Sequence, residues 1–386
     1  MSKPDHKETA KRRAGEGSRF AQPGALATRK YVPGATARDA RETVGAADPL
    51  KLSSNENLLG TSAGALQAIR DAAPRVCNYP DAGSREVRAR LSELLGAPAA
   101  AITTGNGADG VLYNLGMAVI DQGAEVIIPQ TTFPIYDTIS RVMRGVPVIS
   151  AMDGLRIDLD DILARVGPRT RVIFLCNPNN PTGDNLPPEA VAAFLDRVPA
   201  HVLVVLDEAY IDFVDEEVRF DGVARLRAGM DNLFLLRSLS KIHGLAGVRF
   251  GYGVGDPELI ALMERVKPPF DVSVIAEEAA LAALSAPEFA RRSVELCAVE
   301  MRRACQALEA MGLAYVPSWT NFVLVETGRD ALEVTRAMML LGVLVRPGTA
   351  FGLPTHIRAT IGRPDATERL LEALGRTLEQ GSTRRA

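Results

Sequence analysis

The chain reads as an α/β protein, with a large domain built on a mostly parallel sheet and a second, smaller α+β domain. Three observations predict this. Strand-type and helix-type segments alternate through the middle two-thirds of the 386 residues, the pattern of βα units feeding a parallel sheet. One segment, Val202–Leu206, is a continuous apolar run ending in Asp207. Strands buried on both faces have that composition, and open α/β sheets bind ligands at the carboxyl ends of such strands. The length itself accommodates two domains with a sizeable core.

Composition excludes several classes. Apolar residues make up 47%, charged residues 24%, and the net charge is −3, as in an ordinary soluble protein. No apolar run reaches membrane-spanning length, and no apolar h-region follows the basic N-terminus, so neither a span nor a secretion signal is expected. Cys77, Cys176, Cys297 and Cys305 show no metal-ligand spacing and read as reduced core thiols of a cytoplasmic protein. The four histidines form no His-x-x-x-His pair, so no metal site is expected. Residues 1–29 read as a disordered tail, basic and poor in large apolar side chains. It lacks the interleaved aromatics of a nucleic-acid arm, and a solvated tail is the expectation.

The elements follow in order. Lys51–Gly60 (KLSSNENLLG) is an Asn-rich loop, and Asn55 lies in it. Thr61–Ala73 reads as a capped helix. NYPDAGSREVRARLSELLG is a turn opened by Tyr79, then a helix with Val87, Leu91, Leu94 and Leu95 on one face, stopped by Gly96. AITTGNGADGVLYNLGMAVI is a strand, a glycine turn and a helix. The free N–H groups of Gly107, Ala108 and Asp109 at the helix start make an anion site. EVIIPQTTFPIYDTISRVMRG repeats the form, with Phe133 in its loop. VIFLCNPNNPTGDNLPPEAVAAFL is a strand over Val172–Cys176, a Pro-rich turn holding Asn180, and a helix from about Pro187. In HVLVVLDEAYIDF, Asp207 needs a partner at a buried strand end, Tyr210 follows three residues on, and Glu208 reads as structural. Next come a helix over Pro257–Val266, a linker KPPFDVS and a helical stretch to Met311 interrupted at Pro287. Short strands in AYVPSWTNFVLVET, GVLVRPG and HIRATIG alternate with helices at Asp330–Leu341 and Pro364–Leu378. Arg346 and Arg358 stand in the last strands, where planar guanidinium forks suit a carboxylate or an interdomain ion pair.

The most informative stretch is Arg237–Tyr252, RSLSKIHGLAGVRFGY, between two strand-like runs. A lone lysine in a Gly-rich turn is ordinarily a solvated charge. Here Lys241 stands with hydroxyls at Ser238 and Ser240, a guanidinium at Arg249, and glycines that permit close backbone approach. A phosphate site beside a primary amine is what pyridoxal phosphate requires, because its aldehyde condenses with a lysine and its phosphate needs an anchor.

The order S-x-S-K-x-x-G-L-A-G-x-R-x-G-Y resembles the lysine segment of fold-type I pyridoxal-phosphate aminotransferases, in particular the histidinol-phosphate aminotransferase branch. The resemblance runs from about Lys30 to Leu378. It implies a mostly parallel seven-stranded large domain over 56–272 that binds the cofactor. An N-terminal arm (30–55) packs with a C-terminal small domain (273–386), and the chain forms a homodimer. It also implies site roles. Lys241 is the catalytic lysine, and the N–H groups of Gly107, Ala108 and Asp109, with Ser238, Ser240 and Arg249, hold the phosphate. Phe133 stacks on the ring, Asp207 pairs with the ring nitrogen, and Asn180 and Tyr210 meet its phenolic oxygen. Tyr79 reaches the partner's cofactor. Asn55, Arg346 and Arg358 belong to the substrate side, Arg358 clamping an α-carboxylate and Arg346 lying near the substrate's distal end. The chain departs from the family at Leu58, usually Pro, at Gly60-Thr61-Ser62, usually Gly-Pro-Ser, and at Asp109-Gly110, usually Asp-Glu.

The expected function is aminotransfer from a small-molecule donor to a 2-oxo acid, with histidinol phosphate and 2-oxoglutarate as the leading pair, and no nucleic-acid or membrane partner. Three alternatives stay open: an aromatic amino acid aminotransferase, a decarboxylase similar to threonine-phosphate decarboxylase, and a non-catalytic pyridoxal-phosphate-binding protein.

Overall fold

The structure, a computed structural model, describes residues 20–30, 33–45 and 47–382. Seven strands form its central sheet: β1 (Ile102–Asn106), β2 (Glu125–Pro129), β3 (Val146–Ser150), β4 (Thr170–Cys176), β5 (Leu203–Asp207), β6 (Leu233–Ser238) and β7 (Phe250–Val254). Their spatial order is β1-β7-β6-β5-β4-β2-β3. β2 through β6 pair in parallel, and β7 runs antiparallel to both neighbours, β1 and β6. The sheet is thus mostly parallel, as expected.

Side-chain alternation explains why β4, β5 and β6 are apolar on both faces. Ile173, Leu175, Val204, Leu206, Leu233 and Leu235 pack into one core, and Val172, Phe174, Val205, Phe234 and Leu236 into another on the opposite face. Successive side chains in a strand point to opposite faces, so a strand covered on both sides must be apolar throughout. Helix Gly107–Val119 supplies Val111, Leu112 and Leu115 to the second core. Ser62, Asp256 and Ser273 cap helices by accepting backbone N–H bonds.

The smaller unit holds an antiparallel sheet in which His356–Thr360 lies between Phe322–Glu326 and Arg346–Pro347. Leu50–Lys51 pairs in parallel with Val343–Leu344, and Leu52 joins a core with Met301, Val323, Ile357 and Leu370. Chain ends far apart in sequence therefore share one core. No helix among the described residues is long and apolar enough to cross a membrane.

Four expectations need correction. Leu94 lies half-exposed on helix Arg85–Leu95, whose buried residues are Val87 and Leu91. Val87, Leu91 and Leu95 follow an i, i+4, i+8 stripe that leaves Leu94 on its margin. Cys77 is exposed and not a core thiol, and Cys305 is only partly buried. Pro23–Ala27 is a short helix, and Gln22 donates from Nε2 to the Val142 carbonyl at 3.2 Å. So residues 20–29 are not a free tail, and 1–19 lie outside the described residues. Finally, Ala276, Ala279, Ala280 and Ala283 of helix Val274–Leu284 are buried in the large unit's core. The change of core falls within the long helix Pro287–Ala310, which carries Met301, Ala304 and Leu308 into the other core. A boundary at 273, read from the prolines of the linker, comes too early, because a proline marks a break in the chain and not a change of core.

Candidate active site

Strand register assembles the site. Cys176, Asp207 and Leu236 are Cα partners across β4, β5 and β6, and Ser238 stands two residues beyond Leu236 on the same face. These strand ends open into a cavity of about 260 Å³. Cys176, Asp207 and Ser238 line it together with Phe133, Asn180, Tyr210, Ser240, Lys241 and Arg249. It is formed where parallel strands end, as the fold requires.

One end is a cup for an anion. Helix Gly107–Val119 begins there, and Gly107 accepts no Cβ: with φ +70° it would place one 2.4 Å from Arg249 Nη2. The Gly107 N–H donates to the Arg249 carbonyl at 3.0 Å, because β7 begins beside the end of β1. Contrary to expectation it is therefore not a free donor of the cup, and the helix-start donors expected there reduce to Ala108 and Asp109. Gly251, on the next residue pair, would likewise drive a Cβ to 2.4 Å from the Ala108 nitrogen. Arg249 Nη1 lies 3.5 Å from Ser240 Oγ, and Nη2 lies 3.5 Å from Asp109 Oδ2. The Ser240 N–H donates to Ser238 Oγ at 3.1 Å. A helix N-terminus, a guanidinium and two hydroxyls converge on one spot. Desolvation raises the Asp109 carboxyl, and Arg249 and Lys241 pull it back down.

Asp207 occupies the other end, buried. Tyr136 donates its hydroxyl to Oδ2 at 2.5 Å and the Ala209 N–H donates to Oδ1 at 3.0 Å. Desolvation pushes its carboxyl from 3.8 up to about 6, against those two bonds. Between these values the folded chain binds more protons than the unfolded one, so this group's contribution to stability falls as pH rises through the window. Thermal unfolding of cofactor-free protein should show wild type losing ground to Asp207→Asn from pH 4 to pH 7. Parallel curves for the two proteins would contradict the shift.

Lys241 lies between the two ends. Its Nζ is 3.5 Å from the Ser54 carbonyl and 5.6 Å from the Tyr210 ring centroid. Removal from water, and then Arg358, bring its pKa from 10.5 down to about 8, with Glu56 and Asp109 opposing.

Two polar side chains are oriented from behind. Arg358 Nη1 donates to Asn180 Oδ1 at 2.5 Å, which leaves the Asn180 amide nitrogen as a donor. Asn55 Nδ2 donates to the Tyr210 oxygen at 2.8 Å, leaving the Tyr210 O–H to donate in turn. Asn55 is therefore a support behind the cavity, held by its N–H on Thr360 Oγ1 at 3.0 Å. Arg358 also donates to the Ser53 carbonyl at 3.1 Å and lies 5.0 Å from the Phe322 ring. Glu208 forms a buried pair with Arg237 at 2.7 Å, consistent with a structural part.

Two expected residues stand apart. Tyr79 is exposed, stacked on Phe270 at 4.6 Å, and does not line this chain's own cavity. Arg346 is buried and, like Arg358, off the cavity wall; the two are Cα partners across the strand pair, with Phe351 within 6 Å of both guanidinium groups. Tyr136 is a residue that motif reading missed. It follows Phe133 by three positions on the next helix, and that spacing, placing it on the same side, is the only sequence signal for it. Ser54 and Glu56 also line the cavity. Among the described residues no group of three or more His, Cys, Asp or Glu could hold a metal ion.

Comparison with known proteins agrees with this geometry. Residues 47–374 match the family described as aminotransferase class I and II. The chain is 40% identical over 349 residues to a histidinol-phosphate aminotransferase of Moorella thermoacetica, covering 90% of each protein. It is 42% identical over 355 residues to histidinol-phosphate aminotransferase 2 of Ralstonia nicotianae, covering 91% of this chain and 95% of that one. Among solved structures, the histidinol-phosphate aminotransferase of Sinorhizobium meliloti in complex with pyridoxal 5′-phosphate superposes with a TM-score of 0.84 at 29% identity. The match covers 95% of this chain and 99% of that one.

Proposed function

Since the chain belongs to the class I and II aminotransferases, we propose that it transfers the amino group of histidinol phosphate to 2-oxoglutarate. It is a pyridoxal-phosphate-dependent enzyme. The observation that carries the reading is one cavity that places an amine, Lys241, between an anion cup and a buried carboxylate. The residues fit the cofactor. The cradle at Gly107, which a Cβ would fill, and Arg249 with Ser238 and Ser240 would hold its phosphate. Asp207 would pair with the protonated ring nitrogen, Asn180 and Tyr210 would donate to the phenolic oxygen, and Phe133 would cover the ring face.

When bound, pyridoxal phosphate supplies a sink for the electron pair left on the donor's amino-bearing carbon. The chain does the rest. Lys241 Nζ is the base that accepts the proton leaving that carbon, and its pKa near 8 leaves an appreciable neutral fraction at neutral pH. Asp207 keeps a positive charge at the far end of the site, and Tyr136 fixes its orientation.

The substrate side rests on two arginines. Arg346 and Arg358 are Cα partners across a strand pair, and both guanidinium groups lie within 6 Å of the Phe351 ring. Arg358 would take the α-carboxylate of glutamate and 2-oxoglutarate, and Arg346 the distal phosphate of histidinol phosphate. Arg346→Ala should then weaken histidinol phosphate more than phenylalanine, by about 1.5–3 kcal/mol. Arg358→Ala should damage the glutamate half-reaction whatever the donor. An amino-donor screen with 2-oxoglutarate tests the whole reading. Equal losses for both donors in Arg346→Ala, with phenylalanine the faster substrate, would favour an aromatic amino acid aminotransferase.

We also propose a homodimer in which Tyr79, exposed beside Phe270, reaches the partner's phosphate cup. The free cysteines fit a reducing compartment, and we place the enzyme in the cytoplasm.

A further inference from the structure

We infer that Glu56 reads the distal ring of the amino donor: its carboxylate accepts a hydrogen bond from an N–H-bearing heteroaromatic ring, and so selects an imidazole over a phenyl group. This rests on the aminotransferase reading above and deepens it. Glu56 lies on the wall of the cavity that holds Lys241, and its charge is felt at that amine. The other two carboxylates of the wall are committed. Asp109 faces Arg249 at 3.5 Å, and Asp207 is held by Tyr136 and the Ala209 N–H. Glu56 is bound through Oε1 to Lys51, which is not on the wall. Among the described residues Oε2 has no hydrogen-bond donor, so one acceptor of a half-buried carboxylate is left for a ligand.

The backbone around it is fixed. Asn321 donates from Nδ2 to the carbonyls of Asn55, at 3.0 Å, and of Glu56, at 3.4 Å. Ser54, two residues away, holds its carbonyl 3.5 Å from Lys241 Nζ. The carboxylate is therefore carried on a braced loop that lies against the reacting amine. A donor seated there, with its anionic end toward Arg346 and Arg358, must present its remaining surface to the wall. An imidazole offers an N–H to Oε2. A phenyl ring offers none and leaves the carboxylate partly desolvated and short of a partner, which discriminates against it.

The test compares kcat/KM for histidinol phosphate and for phenylalanine, each with 2-oxoglutarate, in the holoenzyme and in Glu56→Gln. Glutamine keeps the shape and removes the charge. Any effect passed through Lys241 acts on both donors and cancels in the ratio of the two values. That ratio should fall by about tenfold to a hundredfold. The pH profile is a second readout. A ring that loses its charge near its own pKa, roughly 6.5 for a free imidazole, is held less well above it. The KM of wild type for histidinol phosphate should therefore rise with pH relative to that of Glu56→Gln. A ratio unchanged within about twofold, with parallel pH profiles, would make Glu56 an ion-pair partner of Lys51 only and overturn this inference alone. Wild type that does not turn over histidinol phosphate would overturn the substrate reading, and this one with it.

Discussion

Lys241→Ala is expected to lower turnover by more than about 10⁴-fold, since in the proposed mechanism one side chain would be both the cofactor's covalent anchor and the base. The variant should still fold and still take up pyridoxal phosphate, because the cup at Gly107, Ser238, Ser240 and Arg249 does not involve the amine. Borohydride reduction of wild type should fix the cofactor on one peptide, the one carrying Lys241, and fix none on the variant. The informative rival is Lys267, also buried, but its Nζ lies 3.2 Å from Glu264 and 3.9 Å from Asp271. That amine is engaged with two carboxylates and does not line the cavity. A label on Lys267 would overturn the assignment. The pH dependence gives a second check. With its pKa lowered to about 8, the neutral fraction of Lys241 in cofactor-free protein grows as pH rises through 8. Labelling by an amine reagent should follow that midpoint. A midpoint near 10.5 would mean that the amine is solvated.

Asp207→Ala is expected to cost about 10³-fold or more in turnover, about 4 kcal/mol at 1.36 kcal/mol per decade. The carboxylate is what would hold a proton on the cofactor's ring nitrogen and so maintain its capacity to accept electrons. Folding should survive, because burial penalises the charged carboxylate, as its pKa near 6 shows. The hydroxyl of Tyr136 loses its acceptor in this variant, so Tyr136→Phe is the control. It removes the orienting bond and leaves the charge, and its loss should be the smaller one. Near-normal turnover in Asp207→Ala would mean that the carboxylate is structural.

The departures from the family pattern can be located. Leu58 packs against Gly362, where an added Cβ would come within 2.7 Å of the leucine Cβ. Thr61 Oγ1 donates to the Gly244 carbonyl at 2.7 Å, joining its loop to the lysine loop. Gly244 itself sits at φ +67°, and an added Cβ would lie 1.8 Å from the Gly60 carbonyl oxygen. Gly60 and Thr61 are thus tied by direct contacts to the segment that carries Lys241.

What the sequence determined by itself is local. Apolar runs of strand length predict β4, β5 and β6, because a strand covered on both faces can carry nothing else. Lys241 with Ser238, Ser240 and Arg249 is legible because its hydroxyls, its cation and its permissive glycines are neighbours in the chain. Asp207 stands out because an acid ending an apolar run requires a partner. Tertiary structure decided which partners meet. Tyr136 reaches Asp207 across 71 positions, and Arg358 reaches Asn180 across 178. Asn55 supports Tyr210 across 155. Strand pairing and the packing of two separate cores create those contacts, and neither periodicity nor residue spacing encodes a distance between side chains that the chain itself does not join.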